Sequence, residues 1–356
     1  MERLRIAVVP GGGAFGTALS VPLSANGHEV TLIFRDKGKA RVFGETRMVE
    51  RLSGILIPEE NEKSGGRIGF SADAEKTVKN ADVVIIAVPT PFMLPAYRES
   101  VMPFKKEETP VISGAKGLAR IEGKYLRPSE IISLTDPKVA RRLIVLSGPN
   151  LAHEIARGLF FVSVAASEDT KLAEYVAHDL FGLNPFSRIY ASDDVAGVEL
   201  GGAFKNVIAI AAGVCDGRHY GENARAALVQ RGQEEMIRLG IRLGGRDETL
   251  RGVVGSDLWM TCVSEASRNH EYGVAISHGE DPVEVLAKFA MNKKTVEGYT
   301  TTKVVWELVQ RLGIKAPLTE AAYSVLFLGG SIDDAIKGLL ARERVYENGQ
   351  PLNGNK

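Results

Sequence analysis

Lys205 and Asn206 stand side by side in a segment, Val195 to Gly213, that is otherwise built mostly of Ala, Gly, Val and Ile. An ammonium in such surroundings is expensive to bury, and desolvation pulls its pKa toward neutrality, where it can hold or release a proton. That is a setting for a proton donor. Ser113-Gly114-Ala115-Lys116-Gly117 ends an apolar run with a lysine between glycines, which leaves backbone room for a small molecule; taken alone it reads equally as a turn. Ser267-Arg268-Asn269 closes a helix-compatible stretch. Its guanidinium fork suits a phosphate and Asn269 can donate further, although the same residues also make an ordinary exposed helix end. Asp257 follows Gly255-Ser256 in what reads as a glycine-broken loop, where it either pairs with Lys205 and sets its proton affinity or caps the next helix.

The N-terminus suits a hydride carrier. Gly11-Gly12-Gly13-Ala14-Phe15-Gly16 has the spacing G-x-G-x-x-G between an apolar strand and a helix. The first glycine allows the tight turn, the second lets backbone approach a pyrophosphate, and the third permits close helix–strand contact. The helix N-terminus then offers free N–H groups to the phosphates. The spacing alone is a weak signal; its place on strand-turn-helix makes Gly11, Gly13, Ala14, Phe15 and Gly16 cofactor contacts. The second strand ends at Phe34-Arg35-Asp36. A carboxylate there would accept from a ribose 2′-hydroxyl, whereas Arg35, with Lys37 and Lys39 nearby, would cover the adenine or pair with a 2′-phosphate. The alternative is that Arg35 is a solvated loop residue. The expectation is NADP(H), with NAD(H) also usable. Ser147-Gly148-Pro149-Asn150 ends another strand, and Glu154 beyond it either reaches the nicotinamide end or only occupies a first helical turn favoured by the dipole.

Strands alternating with helices must position these groups. Strands are expected at Ile6–Val9, Glu29–Phe34, Asp82–Val88, Pro110–Ser113 and Leu143–Leu146, extended by Phe160–Ala166 and Ser187–Tyr190, with a helix at Phe15–Asn26. The pattern implies a Rossmann-like α/β domain on a doubly wound parallel sheet over residues 1–190. Residues 58–70 read as an exposed loop. Beyond Asp193 the β-rich runs stop, and helices are expected at Val195–Val214, Asn223–Gly240, Thr261–Asn269, Pro282–Ala290, Thr300–Leu312 and Leu318–Phe327, an all-α domain over 191–345. Residues 346–356 read as a disordered tail.

The chain has 356 residues, 44% hydrophobic, with 44 basic and 44 acidic side chains and a formal net charge of +0, so nothing global argues for nucleic acid or an acidic membrane surface. Cys215 and Cys262 have no metal spacing and suit a reducing, cytoplasmic setting. No signal peptide, no membrane-spanning run and no metal-ligand cluster is expected.

Together these residues resemble the NAD(P)-dependent glycerol-3-phosphate dehydrogenases, from about residue 5 to about residue 345. The most specific segment is Gly197 to Gly213 around Lys205-Asn206, followed by Asp216-Gly217, Gly221-Glu222-Asn223-Ala224, Thr261-Cys262, Ser267-Arg268-Asn269 and Val296-Glu297-Gly298. The resemblance implies a Rossmann-like domain plus a helical domain, and reversible reduction of dihydroxyacetone phosphate to sn-glycerol 3-phosphate for glycerophospholipid synthesis. It makes Lys205 the proton donor, Lys116 a second active-site lysine at both substrate and cofactor, and Asp257 their acid–base neighbour. It implies that Asn206, Thr261, Ser267, Arg268 and Asn269 bind substrate, that Arg268, Glu154 and Glu297 lie at the cofactor, and that the protein is a homodimer. The chain departs from the family at Gly255-Ser256-Asp257, one residue short of the usual approach to the aspartate, at Ile55-Leu56-Ile57-Pro58, and at Asn150, where many bacterial members carry serine. Two other readings are a dehydrogenase of this fold acting on another hydroxy acid, and a protein that senses NAD(P)H without turnover.

Overall fold

Alternate residues of the first strand face opposite layers. Ile6 and Val8 pack with Leu19 and Leu23, while Ala7 and Val9 pack with Met93 and Tyr97. A strand buried on both sides needs an unbroken apolar run, and such strands belong to parallel sheets covered by helices on both faces. In the computed structural model, which describes residues 2–52, 54–182, 184–343 and 346, that sheet has eight strands. These are β1 (Arg5–Val9), β2 (Glu29–Ile33), β3 (Arg67–Ser71), β4 (Val83–Ile86), β5 (Val111–Ser113), β8 (Leu143–Ser147), β9 (Phe161–Ala166) and β10 (Ser187–Ser192), in the order β10-β9-β8-β5-β4-β1-β2-β3. β6 (Ala119–Ile121) and β7 (Lys124–Leu126) form a separate hairpin. The order reverses at β1, so the glycine loop after β1 opens at the topological switch point.

Three details differ from the sequence reading. The expected exposed loop over 58–70 runs into β3, an edge strand paired with β2 from Glu29↔Arg67 to Ile33↔Ser71. Only Ile68 of β3 is buried, so the strand carries no alternating signal. β9 runs antiparallel to β8 within an otherwise parallel sheet. The five-residue helix Ala152–Ala156 between them packs on the first helix instead of crossing the sheet, and a parallel return needs a longer crossover. The helix expected over Thr261–Asn269 is two helices, Val253–Val263 and Arg268–Ser277, because Ser267 adopts extended backbone and its hydroxyl caps His270 N–H at 3.3 Å. The expected tail over 346–356 lies, Tyr346 aside, outside the described residues.

The helical part is built round Val195–Gly217, whose N-terminus is capped by Asp194 through Gly197 N–H at 2.8 Å. The helices Glu222–Arg242, Val253–Val263, Arg268–Ser277, Glu297–Leu312 and Pro317–Phe327 pack around it. It is long and apolar enough to cross a membrane, but 89% of its most apolar window is buried inside the protein, as a core helix must be. Backbones cross closely where it meets Arg268–Ser277: a Cβ on Gly273 would lie 2.1 Å from Ile210 O, and one on Gly213 would lie 2.1 Å from His270 O. Where this helix meets the sheet, Val198 and Val254 pack on Val145, Val164 and Ala166. Beside that seam the buried Glu199 carboxylate accepts Ser129 N–H at 2.8 Å and the Arg127 guanidinium at 3.3 Å. Burial pushes the Glu199 carboxyl up to about 7, even though Arg127 and Ser129 oppose the shift.

Candidate active site

The carboxyl ends of β1, β4, β5 and β8 share one edge because these strands are parallel, and the chemistry collects there. At β1 the glycines divide their work. A Cβ on Gly11 would sit 2.8 Å from the Leu32 carbonyl carbon and one on Gly16 would sit 2.9 Å from Val8 Cγ1, whereas one on Gly13 would meet nothing closer than 3.5 Å. Packing therefore demands the outer two, and the middle one leaves open backbone. Gly13 is the N-cap of helix Ala14–Ala25 and supplies no side-chain cap, so the first-turn N–H groups, those of Ala14, Phe15 and Gly16 among them, are left for a ligand. Phe15 stands against Gly114 at the end of β5.

Three residues past β5, Lys116 Nζ donates to Gly148 O and to Asp257 Oδ2, both at 2.8 Å. Lys205 reaches the same carboxylate from the central helix: its Nζ donates to Asp257 Oδ1, and to Thr261 Oγ1 at 2.9 Å. Asp257 is not in a loop, and caps nothing. It lies in the second turn of Val253–Val263, fully buried, one turn before Thr261 on the same face. One carboxylate thus bridges two ammoniums, an arrangement that leaves a surplus positive charge in the cleft. Burial lowers the Lys205 pKa to about 8, with Asp257 raising it and Lys116 lowering it. Burial would raise Asp257, but the two lysines together hold it below the usual carboxylate range.

Asn206 extends the cluster. Its amide donates to Lys116 O at 3.2 Å and its oxygen accepts from Asn269 Nδ2 at 2.9 Å. Asn269 in turn accepts Gly298 N–H at 2.9 Å, which ties the helix starting at Glu297 to this point. Ser267, Arg268 and Asn269 do not end a helix; they begin one, where the dipole is positive. The Arg268 pKa is lowered by desolvation, with Glu297 opposing and Arg51 adding to the shift. Burial raises the Glu297 carboxyl to about 7, against the pull of Arg268, Lys116 and Lys205.

Among the described residues three buried side-chain oxygens have no hydrogen-bond partner: Thr90 Oγ1, Ser147 Oγ and Glu297 Oε2. All three surround this cleft. A Cβ on Gly117 would lie 2.8 Å from Thr90 Oγ1 and 3.3 Å from Glu297 Oε2, and one on Gly202 would lie 3.1 Å from Ser147 Oγ. Buried polar atoms are normally paired, so this concentration of unpaired ones fits a polar ligand laid between β4, β5 and β8. The open Gly13 backbone and uncapped helix fit its phosphates. Thr90 and Ser147 carry no sequence signal beyond their strand ends. Two expected cofactor residues stand apart from the lysine–aspartate cluster: Arg35, exposed and paired with Glu99 at 3.3 Å, and Glu154, half-buried on the helix Ala152–Ala156. Asp36 Oδ1 accepts Lys39 N–H at 2.8 Å and caps the helix Lys37–Thr46. Asn150 hydrogen-bonds Ser163 at 3.0 Å. No group of three or more His, Cys, Asp or Glu side chains among the described residues is placed to hold a metal ion.

Fold and site together define a two-domain Rossmann-type protein with a lysine-rich cleft between the domains. Two family models cover nearly the whole chain: the NAD-dependent glycerol-3-phosphate dehydrogenase N-terminus over residues 5–173 and the C-terminus over residues 194–337. The chain is 38% identical over 343 residues to a glycerol-3-phosphate dehydrogenase [NAD(P)+] of Symbiobacterium thermophilum, covering 96% of this chain and 95% of that one. It is 37% identical to one of the same description from Bacillus subtilis, covering 95% and 94%. The crystal structure of glycerol-3-phosphate dehydrogenase from Coxiella burnetii superposes with a TM-score of 0.82 at 30% identity, covering 96% of this chain and 99% of that one. The chain belongs to the NAD-dependent glycerol-3-phosphate dehydrogenase family.

Proposed function

We propose that the protein interconverts dihydroxyacetone phosphate and sn-glycerol 3-phosphate with NAD(P)H, and so supplies the backbone of glycerophospholipids. The observation that carries this reading is the Asp257 carboxylate bridging Lys116 and Lys205. The nicotinamide, when bound, supplies or accepts the hydride. Lys205 gives its proton to the ketone oxygen as hydride arrives at the carbonyl carbon, and takes one back from the hydroxyl in the reverse direction. Lys116 stabilises the negative charge that develops on that oxygen. Asp257 and Thr261 hold the Lys205 amine in place, and Asp257 raises its proton affinity. Asn206, Ser267, Arg268 and Asn269 grip the phosphate and orient the three-carbon chain; binding a group remote from the reacting atoms is what fixes the carbonyl. Gly11, Gly13, Ala14, Phe15 and Gly16 hold the pyrophosphate, Glu297 and Thr90 receive the polar edge of the cofactor's other half, and Arg35 meets the adenosine ribose, with Glu154 near the cofactor. The unpaired oxygens of Thr90, Ser147 and Glu297 support this placement. A homodimer in the cytoplasm is the assembly and setting that accord with the family, and the two buried free cysteines accord with a reducing compartment.

The test is Lys205→Met. Reduction of dihydroxyacetone phosphate should fall by about 10² to 10⁴, the range for losing a positioned general acid, while NADPH affinity stays close to that of the unaltered protein. Undiminished turnover removes Lys205 from the mechanism. Equal rates on dihydroxyacetone and dihydroxyacetone phosphate in the unaltered protein would remove the phosphate grip.

A further inference from the structure

We infer that Glu99 is a cofactor-selectivity residue: its carboxylate holds the Arg35 guanidinium and opposes the 2′-phosphate that distinguishes NADP(H) from NAD(H). The inference rests on the proposed place of Arg35 at the adenosine ribose. In a doubly wound sheet the end of the strand after the glycine loop meets that ribose, and a carboxylate there favours the unphosphorylated sugar. This chain has such a carboxylate, Asp36, whose Oδ1 is used to cap Lys39 N–H at 2.8 Å. Even with the Asp36 charge counted, the exposed strand end keeps a surplus of positive charge from Arg35, Lys37 and Lys39. Left at that, the edge would strongly favour a phosphate.

Glu99 changes the balance from a different element. It lies near the end of the helix Met93–Ser100, which follows β4, and its Oε2 stands 3.3 Å from Arg35 Nη2. Both side chains are mostly exposed, at 60% and 64%, so as a source of fold stability the pair contributes little. Its effect is on what else can use the guanidinium. A 2′-phosphate brings up to two negative charges onto Arg35 and leaves the Glu99 carboxylate roughly 6 Å away, close enough to repel at ordinary ionic strength. A 2′-hydroxyl brings no charge and is not repelled. Glu99 therefore penalises only the phosphorylated cofactor, and lets a basic strand end accept both.

The experiment is calorimetric titration of NADPH and of NADH into the unaltered protein, Glu99→Gln, Arg35→Ala and the double variant. Glu99→Gln should raise the NADPH-over-NADH affinity ratio roughly three- to tenfold, with the gain shrinking as salt rises. Arg35→Ala should weaken NADPH selectively, and adding Glu99→Gln to it should recover much less. A ratio within about twofold of the unaltered protein in Glu99→Gln, with Arg35→Ala still weakening NADPH, overturns the role of Glu99 and leaves Arg35 at the ribose. NADPH affinity unaffected by Arg35→Ala overturns the place of Arg35 itself, and the role of Glu99 with it.

Discussion

If Asp257 sets the proton affinity of Lys205, its removal must move the pH profile in a definite direction. Reduction needs Lys205 protonated, so in the unaltered protein the rate should fall as pH rises through about 8, the value that burial imposes. Asp257 is the largest influence holding that proton on. Two unit charges about 3 Å apart interact by about 5 kcal/mol at an effective dielectric of about 20. The carboxylate is shared with Lys116, and water admitted by a smaller charge would screen what is left. Keeping about half of the interaction gives about 2 pKa units, at about 1.4 kcal/mol each. Asp257→Asn should therefore move the alkaline limb of kcat/KM down to near pH 6. Lys116→Met should move it the other way, by about one unit, since Lys116 lowers the Lys205 pKa and competes for the same carboxylate. The assay is the initial rate of NADPH consumption with dihydroxyacetone phosphate, measured from pH 5 to pH 10 for all three proteins. Absolute rates will drop in both variants; the inflection is what counts. Limbs that move in the same direction, or stay in place, would refute the bridging role of Asp257.

Gly273→Ala puts a methyl group 2.1 Å from Ile210 O. It should cost about 1–3 kcal/mol of stability and raise the KM for dihydroxyacetone phosphate, because the displaced helix carries Asn269; Gly338→Ala, which meets nothing within 4 Å, should leave melting and KM unharmed. Glu199 offers a stability test. Its folded pKa of about 7 lies above its ordinary 4.5, so the stability it contributes is fully present below pH 4.5 and is lost as pH rises through 7, roughly 3 kcal/mol in all. Melting temperatures of the unaltered protein should decline across that window, and Glu199→Gln should flatten the decline; parallel curves would show that Glu199 titrates alike in both states.

The glycine loop and Lys205 were legible because each has a local cause. The three glycines answer to contacts within a single strand-turn-helix, and Lys205 is a charge in a run of small apolar residues. Asp257 was harder. Gly255 suggested a loop, yet a Cβ there would come 2.9 Å from Leu250 O and 2.7 Å from the Gln233 amide, so that glycine serves packing inside a helix. Ser267-Arg268-Asn269 looks in the sequence like a helix end instead of a start, because apolar periodicity runs through the break and only the Ser267 backbone marks it. β3 leaves no mark in the sequence because an edge strand with one buried residue has nothing to alternate. The burial of Glu199 and Glu235 has no local signal, because their partners, Ser129 in one case and the N–H groups of Leu318 and Thr319 in the other, come from 70 to 84 residues away.

The helix Val195–Gly217 carries Glu199 to the cofactor domain, Lys205 and Asn206 to the cleft, and Asp216 to His270, which it meets at 2.8 Å. Seventeen residues at about 1.5 Å each separate the first of these from the last, some 25 Å of rigid rod. Adding or deleting one residue in that span would swing everything beyond it by about 100°. Placed between Glu199 and Lys205, such a change would turn the amine away from the gap between domains and carry Asp216 away from His270 with it; placed beyond Asn206, it would break the Asp216 contact alone. Length variation among relatives should accordingly collect in the connections, and this one stretch should keep its count.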